Sequence, residues 1–112
     1  MDRLFYAGGG NFSFKPAAAV VSARRAGTTA SLDAITKHFT INQMPVISSN
    51  YWCMTHGAQN SPEQAKQDLE GMQIMRVLGG NMAWILKCIE AGKKEGIFHP
   101  QTEDKVMTNF IR

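Results

Sequence analysis

The apolar positions of the chain come in short runs divided by glycine, proline and polar breaks. The first, Leu4-Phe5-Tyr6 behind Met1-Asp2-Arg3, reads as the last turns of an amphipathic helix, ended by Gly8-Gly9-Gly10-Asn11. No cap or loop precedes it, so Met1 reads as a once-internal residue. After Lys15-Pro16 comes Ala17-Ala18-Ala19-Val20-Val21-Ser22, short and continuously apolar. Polar alternation is absent, so both faces would be buried, as in a central parallel strand. Alanine favours helices, but Pro16 and Ser22 leave this run too short for one.

A polar loop, residues 22–29, leads into a helix that Thr28 or Thr29 would cap. Leu32, Ile35 and Phe39 form its apolar stripe, and it stops around Asn42, ahead of Met44-Pro45. Val46-Ile47-Ser48-Ser49 reads as a second buried strand, which makes the unit strand, loop, helix, strand. A polar-aromatic loop, residues 50–57, follows.

Ser61-Pro62-Glu63-Gln64 has the pattern of a helix start, with serine as cap, proline in the first turn and glutamine closing a capping box. One helix is expected from there to about Lys93, with Ile74, Leu78, Met82, Ile85 and Ile89 along one face. Gly71, Gly79 and Gly80 inside it each cost roughly 1 kcal/mol relative to alanine, so close packing on a neighbour, or a kink, is expected there. Beyond His99-Pro100, the residues Val106, Met107, Phe110 and Ile111 would dock as a last helical turn.

Composition narrows the class. The chain has 112 residues, enough for one small domain; 44% are hydrophobic and 19% charged, so a core is affordable. The net charge of +3 comes without a dense Lys/Arg block, which argues against a dedicated nucleic-acid binder. The longest aliphatic run, Ala17 to Val21, is far short of the ~20 residues that cross a bilayer, and no signal-peptide pattern opens the chain. Cys53 and Cys88 share no CxxC spacing, and His38, His56 and His99 are scattered. The pattern favours two reduced thiols in a cytoplasmic protein and no metal site.

Two strands are little sheet, because a buried parallel strand needs neighbours on both edges and helices on both faces. Either the chain is the C-terminal part of a longer α/β domain, or copies complete each other's sheets. In open α/β sheets, ligands sit beyond the carboxyl ends of the strands. Both loops, 22–29 and 50–57, would leave those ends on one edge. The first offers Arg24, Arg25, Gly27, two hydroxyls and a helix N-terminus, which suit an anion or a polarised carbonyl. The second offers Tyr51 and Trp52, flat rings able to cover a planar heterocycle. Taken one at a time, these residues read equally as solvated surface, caps and packing. No nucleophile elbow and no paired carboxylates stand near either loop, so an enzyme here would rely on a bound cofactor.

The stretch Lys15-Pro16-Ala17-Ala18-Ala19-Val20-Val21-Ser22-Ala23-Arg24-Arg25-Ala26-Gly27-Thr28-Thr29, followed by Ile41-Asn42-Gln43-Met44-Pro45-Val46-Ile47-Ser48-Ser49-Asn50-Tyr51-Trp52, resembles the C-terminal half of flavodoxin-like NAD(P)H-dependent FMN reductases. Met1-Asp2-Arg3 resembles the end of that family's Lys-x-Phe-hydrophobic-Asp-Arg helix. Gln73-Ile74-Met75-Arg76-Val77-Leu78-Gly79 and Thr108-Asn109-Phe110-Ile111-Arg112 fit as well.

The resemblance implies an α/β fold. Residues 1–112 would be a single partial domain, the C-terminal part of a flavodoxin-like three-layer sandwich with parallel strands and its N-terminal half missing. It implies reduction of FMN by NAD(P)H, with electrons passed to flavin, quinone or azo-type acceptors. The cofactor-binding set it implies is Ser22, Ala23, Arg24, Arg25, Ala26, Gly27, Thr28, Tyr51 and Trp52; no catalytic side chain and no metal ligand is assigned. Arg24 or Arg25, with backbone N–H groups, would bond the pyrimidine edge of the flavin and favour its reduced, anionic form. The family's phosphate loop after the first strand has no counterpart in this sequence, so the chain alone is expected to bind FMN poorly. The cysteine motif of the family's iron–sulfur members is missing too, and Cys53 stands where a polar residue such as asparagine is expected. A homodimer or homotetramer in the cytoplasm, with flavin and nicotinamide nucleotide as its small-molecule partners, completes the expectation. The alternatives are a non-enzymatic half-domain acting as an oligomerisation or partner-binding module, driven by open strand edges, and an anion or nucleotide binder using Arg24 and Arg25.

Overall fold

The structure is a computed structural model in which residues 1–57 and 62–110 are described. The chain opens with the expected helix, α1 (Asp2–Gly8), which tightens into a 3₁₀ turn at Gly9–Asn11. The Phe5 ring packs against Phe12 at 4.9 Å and Phe39 at 6.1 Å, and stacks on His38 at 5.6 Å. His38 Nε2 also meets the Asp2 carboxylate at 3.0 Å. Together these contacts tie α1 to the last turns of the next helix. Gly9 faces the side-chain oxygen of Asn42, so a Cβ there would require that amide to move.

The parallel pair consists of β1 (Val21–Ala23) and β2 (Met54–His56), in the register Val21 to Met54, Ser22 to Thr55 and Ala23 to His56. Between them lies α2 (Thr28–Ile41), which ends at Asn42; the Asn42 Nδ2 donates to the His38 carbonyl at 2.7 Å. Upstream, a single parallel bridge joins Ala17 to Val46, with Ala17 N–H donating to Pro45 O and Ile47 N–H to Ala17 O, both at 2.9 Å. Ala17 and Val21 are four residues apart, while their partners Val46 and Met54 are eight apart. The second segment therefore makes an excursion between its two contacts. A later helix pins it: Ser49 Oγ donates to the Ile74 carbonyl at 2.7 Å and Asn81 Nδ2 to the Ser48 carbonyl at 2.8 Å.

These contacts revise the strand expectations. Ala17–Val21 is extended and runs parallel to Val46, but the ladder proper begins only at Val21. Residues 46–49 contribute one bridge instead of a strand, because the excursion carries 48–51 away from the partner. The second strand is Met54–His56, inside the stretch expected to be loop. Nor are both faces of the apolar runs covered, since Val20 is 49% exposed and Val46 41%. The cap of α2 also differs. Gly27, at φ 92°, holds the capping position with its carbonyl accepting Ser31 N–H at 3.0 Å, and Thr28 and Thr29 are the first helical residues.

The expected long helix is two, α3 (Pro62–Gln67) and α4 (Leu69–Lys94). The Ser61 cap lies outside the described residues. The break falls at Asp68, whose carboxylate accepts Gly71 N–H at 2.8 Å and so caps α4; a side chain satisfying helix-end N–H groups favours a new start over continuation. Gly71 does pack closely, as expected, because a Cβ there would lie 2.8 Å from Thr55 Oγ1. Gly79 and Gly80 do not: the space around them is open. Past Lys94 the described tail is not helical, and Val106, Met107 and Phe110 are almost fully exposed instead of docked; Ile111 lies outside the described residues. The tail touches back where His99 stacks on Phe14 at 4.6 Å and Thr102 Oγ1 donates to Gln43 Oε1 at 3.1 Å.

The core is small: Ala19, Leu32, Phe39, Cys53, Ile74 and Leu78, with Ile35, Val21, Ile47 and Met54 against it. The radius of gyration is 17.5 Å, against about 13 Å for a compact domain of this length. The accessible surface is 8929 Å², against about 6,100 Å² for a compact folded monomer of this mass. Apolar side chains that a closed domain would cover remain in solvent.

Candidate functional site

Ser22 and Ala23 are the last two residues of β1, so the chain leaves its carboxyl end at Arg24. Arg24, Arg25, Ala26 and Gly27 form an exposed turn. Gly27 makes the reversal into α2 at φ 92°, a backbone state that side chains with a Cβ resist, and nothing lies within 4 Å of where its Cβ would be. Among the described residues, no carboxylate pairs with either arginine. Two uncompensated guanidinium groups thus stand beside a strand end. Thr28 is buried at the foot of the turn, its Oγ1 donating to Met54 Sδ at 3.3 Å, which ties the turn to β2.

Tyr51 and Trp52 are over half exposed and tilt against each other, ring centroids 5.0 Å apart. They precede β2, whereas the residues at its carboxyl end are Thr55 and His56. Trp52 nonetheless comes to the start of α2, where Thr29, Leu32 and Asp33 line with it a cleft of about 240 Å³. The structure therefore joins Trp52 to the helix that leaves the arginine turn. Tyr51 follows through its contact with Trp52.

The carboxyl end of β2 is held by a residue that pattern reading passed over. Asp68 Oδ2 accepts His56 N–H at 2.7 Å and Thr55 Oγ1–H at 3.2 Å, while Oδ1 accepts Gly71 N–H. The N–H groups of Gly71 and then His56 hold its carboxyl below the usual aspartate range, outweighing the opposite effect of burial. The signal was present: an Asp followed by Glu70 in what becomes a first turn is an N-cap pattern. His56, facing Ala23 across the ladder, is the half-exposed ring nearest in register to the arginine turn.

A concavity of about 980 Å³ lies at the other end of α2, between α1 and residues 38–43, and includes Arg3, Tyr6 and Lys105. It is open, and it is remote in the chain from the turn after β1. Among the described residues, no three His, Cys, Asp or Glu side chains gather as metal ligands, and no helix is long and apolar enough to cross a membrane. Cys53 and Cys88 are both unpaired, and burial pushes the Cys53 thiol up.

A family model described as NADPH-dependent FMN reductase matches residues 1–59. No curated protein and no solved structure matches the chain. The matched segment contains α1, β1, the arginine turn, α2, Tyr51, Trp52 and β2; the blocks at residues 73–79 and 108–112 lie beyond it. The match covers the front of this chain, so it does not itself bear on which half of the family's domain the chain represents. A parallel α/β pair with a basic turn at its carboxyl end, matched over more than half of the chain, places this protein in the NADPH-dependent FMN reductase family.

Proposed function

We propose that the chain contributes the ring-facing side of an FMN site in an NAD(P)H-dependent oxidoreductase, with Ser22, Ala23, Arg24, Arg25, Ala26, Gly27 and Thr28 along one edge of the flavin and Tyr51 and Trp52 beside it. The observation that carries this reading is the exposed, uncompensated Arg24–Arg25 turn leaving the carboxyl end of β1 within the family-matched segment. The residues fit a flat ring. Gly27 leaves open space for close approach to the backbone, and Trp52 offers an indole at the mouth of the adjoining cleft. That cleft is smaller than the ~300 Å³ lower range of ligand pockets, so this surface meets one edge of the ring instead of enclosing a nucleotide.

Bound FMN would supply hydride acceptance from the nicotinamide and onward electron delivery to quinone-, azo- or flavin-type acceptors. The guanidinium groups and turn N–H groups would hold the polar edge of the ring and favour negative charge there. Thr28 and Met54 would fix the turn against β2.

The same reading makes the chain the latter part of a flavodoxin-like three-layer domain. The two-stranded sheet with unpaired edges and the surplus surface support an incomplete domain. Association into a homodimer or homotetramer and residence in the cytoplasm, consistent with two unpaired cysteines, belong to it as well.

Fluorescence titration of the 112-residue chain with riboflavin and with FMN tests the reading. Both should bind, weakly and with similar affinity, because the phosphate is not read here. Arg24→Ala with Arg25→Ala should weaken both about tenfold. No quenching by either flavin, or an unchanged affinity in the double variant, would remove the turn from the site.

A further inference from the structure

We propose that the groove between α1 and the end of α2 is a second ligand site, which takes a planar aromatic carboxylate of one or two rings. It lies at the opposite end of α2 from the arginine turn and stands without the flavin reading.

Three separate stretches of chain build it. Arg3, Phe5 and Tyr6 come from α1, His38, Ile41 and Gln43 from the end of α2 and just after it, and Lys105 from the tail. Two contacts lead the tail there, the His99 ring on Phe14 and the Thr102 hydroxyl on Gln43. At about 980 Å³ the groove matches the upper end of the ~300–1,000 Å³ typical of small-molecule sites.

Its wall is held in a costly backbone state. Phe14 at φ 63° and Gln43 at φ 56° are the residues other than glycine with positive φ among those described, and Phe14 N–H donates to Gln43 O at 3.0 Å. A bulky residue such as phenylalanine resists this region, and strain of this kind gathers at ligand sites.

Charge selects the ligand. Asp2, the one carboxylate among the described lining residues, is engaged by His38, whose Nε2 lies 3.0 Å away. Arg3 and Lys105 are exposed, and among the described residues no carboxylate pairs with either. These two cations share the groove with Tyr6, 96% exposed, and Ile41, 77% exposed. A guanidinium and an ammonium suit one carboxylate, and the phenol ring and the isoleucine suit the apolar ring attached to it.

Amide chemical-shift titration of the 112-residue chain with 2-naphthoate, and with the uncharged 2-naphthamide of the same shape, is the test. Naphthoate should bind with a dissociation constant of about a millimolar or tighter, with saturable shifts centred on residues 3–9, 38–43 and 105. Naphthamide should bind at least about tenfold more weakly. Arg3→Gln and Lys105→Gln should each weaken naphthoate about fivefold and leave naphthamide unchanged. Both positions are exposed, so the far-UV circular dichroism of the variants should match the wild type. Saturating riboflavin should not displace naphthoate. Shifts that do not saturate or that centre elsewhere, equal affinity for the two compounds, or naphthoate binding unmoved in both variants would overturn the proposal. So would competition by riboflavin, since one site would then serve both.

Discussion

Asp68 and His56 are joined by a 2.7 Å hydrogen bond from the His56 backbone N–H to the Asp68 carboxylate, so one side chain both starts α4 and holds the carboxyl end of β2. The same oxygen takes the Thr55 hydroxyl, and Gly71 leaves room for it. Asp68→Ala removes a helix cap and strands a strand-end N–H. Its expected cost is about 2 kcal/mol, read as a lower urea midpoint with an unchanged slope. Asp68→Asn, which keeps an accepting oxygen, should lose roughly half as much.

The same bonds set an acid dependence. The folded Asp68 carboxyl titrates below its ordinary value of 3.8, so its contribution is complete above that value. It fades as pH falls through the lower, folded one. Urea midpoints of the wild type should therefore drop between about pH 4 and the depressed value, and Asp68→Asn should flatten that part of the profile. An equal drop in both proteins would show that other carboxylates govern acid unfolding.

Gly27 at φ 92° is the one residue of the arginine turn whose backbone demands glycine. Since space there is open, Gly27→Ala is a pure conformational probe. It should destabilise the fold by about 1 kcal/mol, whereas Gly27→Asn, which tolerates the left-handed region, should cost less. Thermal unfolding of the two variants checks the order.

Ile74 is 3% exposed and meets the core, whereas Ile89, on the same stripe, is only half-buried and lies outside that cluster. Ile74→Ala should cost about 3 kcal/mol and Ile89→Ala under about 1 kcal/mol in denaturant titrations at low protein concentration. Equal costs would mean that the far half of α4 is covered on its core-facing side.

Much of this architecture is legible from local pattern. Gly8 to Asn11 ends α1, Leu32, Ile35 and Phe39 mark α2, and Met44-Pro45 stops it, because each signal lies within the element it governs. The pairing partner of β1 is not legible in this way. Met54-Thr55-His56 has no apolar continuity, and becomes a strand because Cys53 O accepts Val21 N–H at 3.0 Å and Asp68 anchors its other end, contacts made between distant residues. Pro62 and the apolar stripe predicted one helix, since neither registers that the Asp68 side chain competes for the helix-end N–H groups. Within the candidate site, the arginine turn follows from Gly27 and the end of β1. The seat of Trp52 against α2 depends on the excursion after Val46, which has no local signature.

Backbone and indole chemical-shift mapping with riboflavin addresses the flavin reading most directly. The account predicts progressive shifts confined to the amides of residues 23–28 and the Trp52 indole N–H, and their loss when Arg24 and Arg25 are both alanine. Shifts centred on Arg3, Tyr6 and His38 in the groove at the far end of α2, or no shifts at saturating riboflavin, would contradict it.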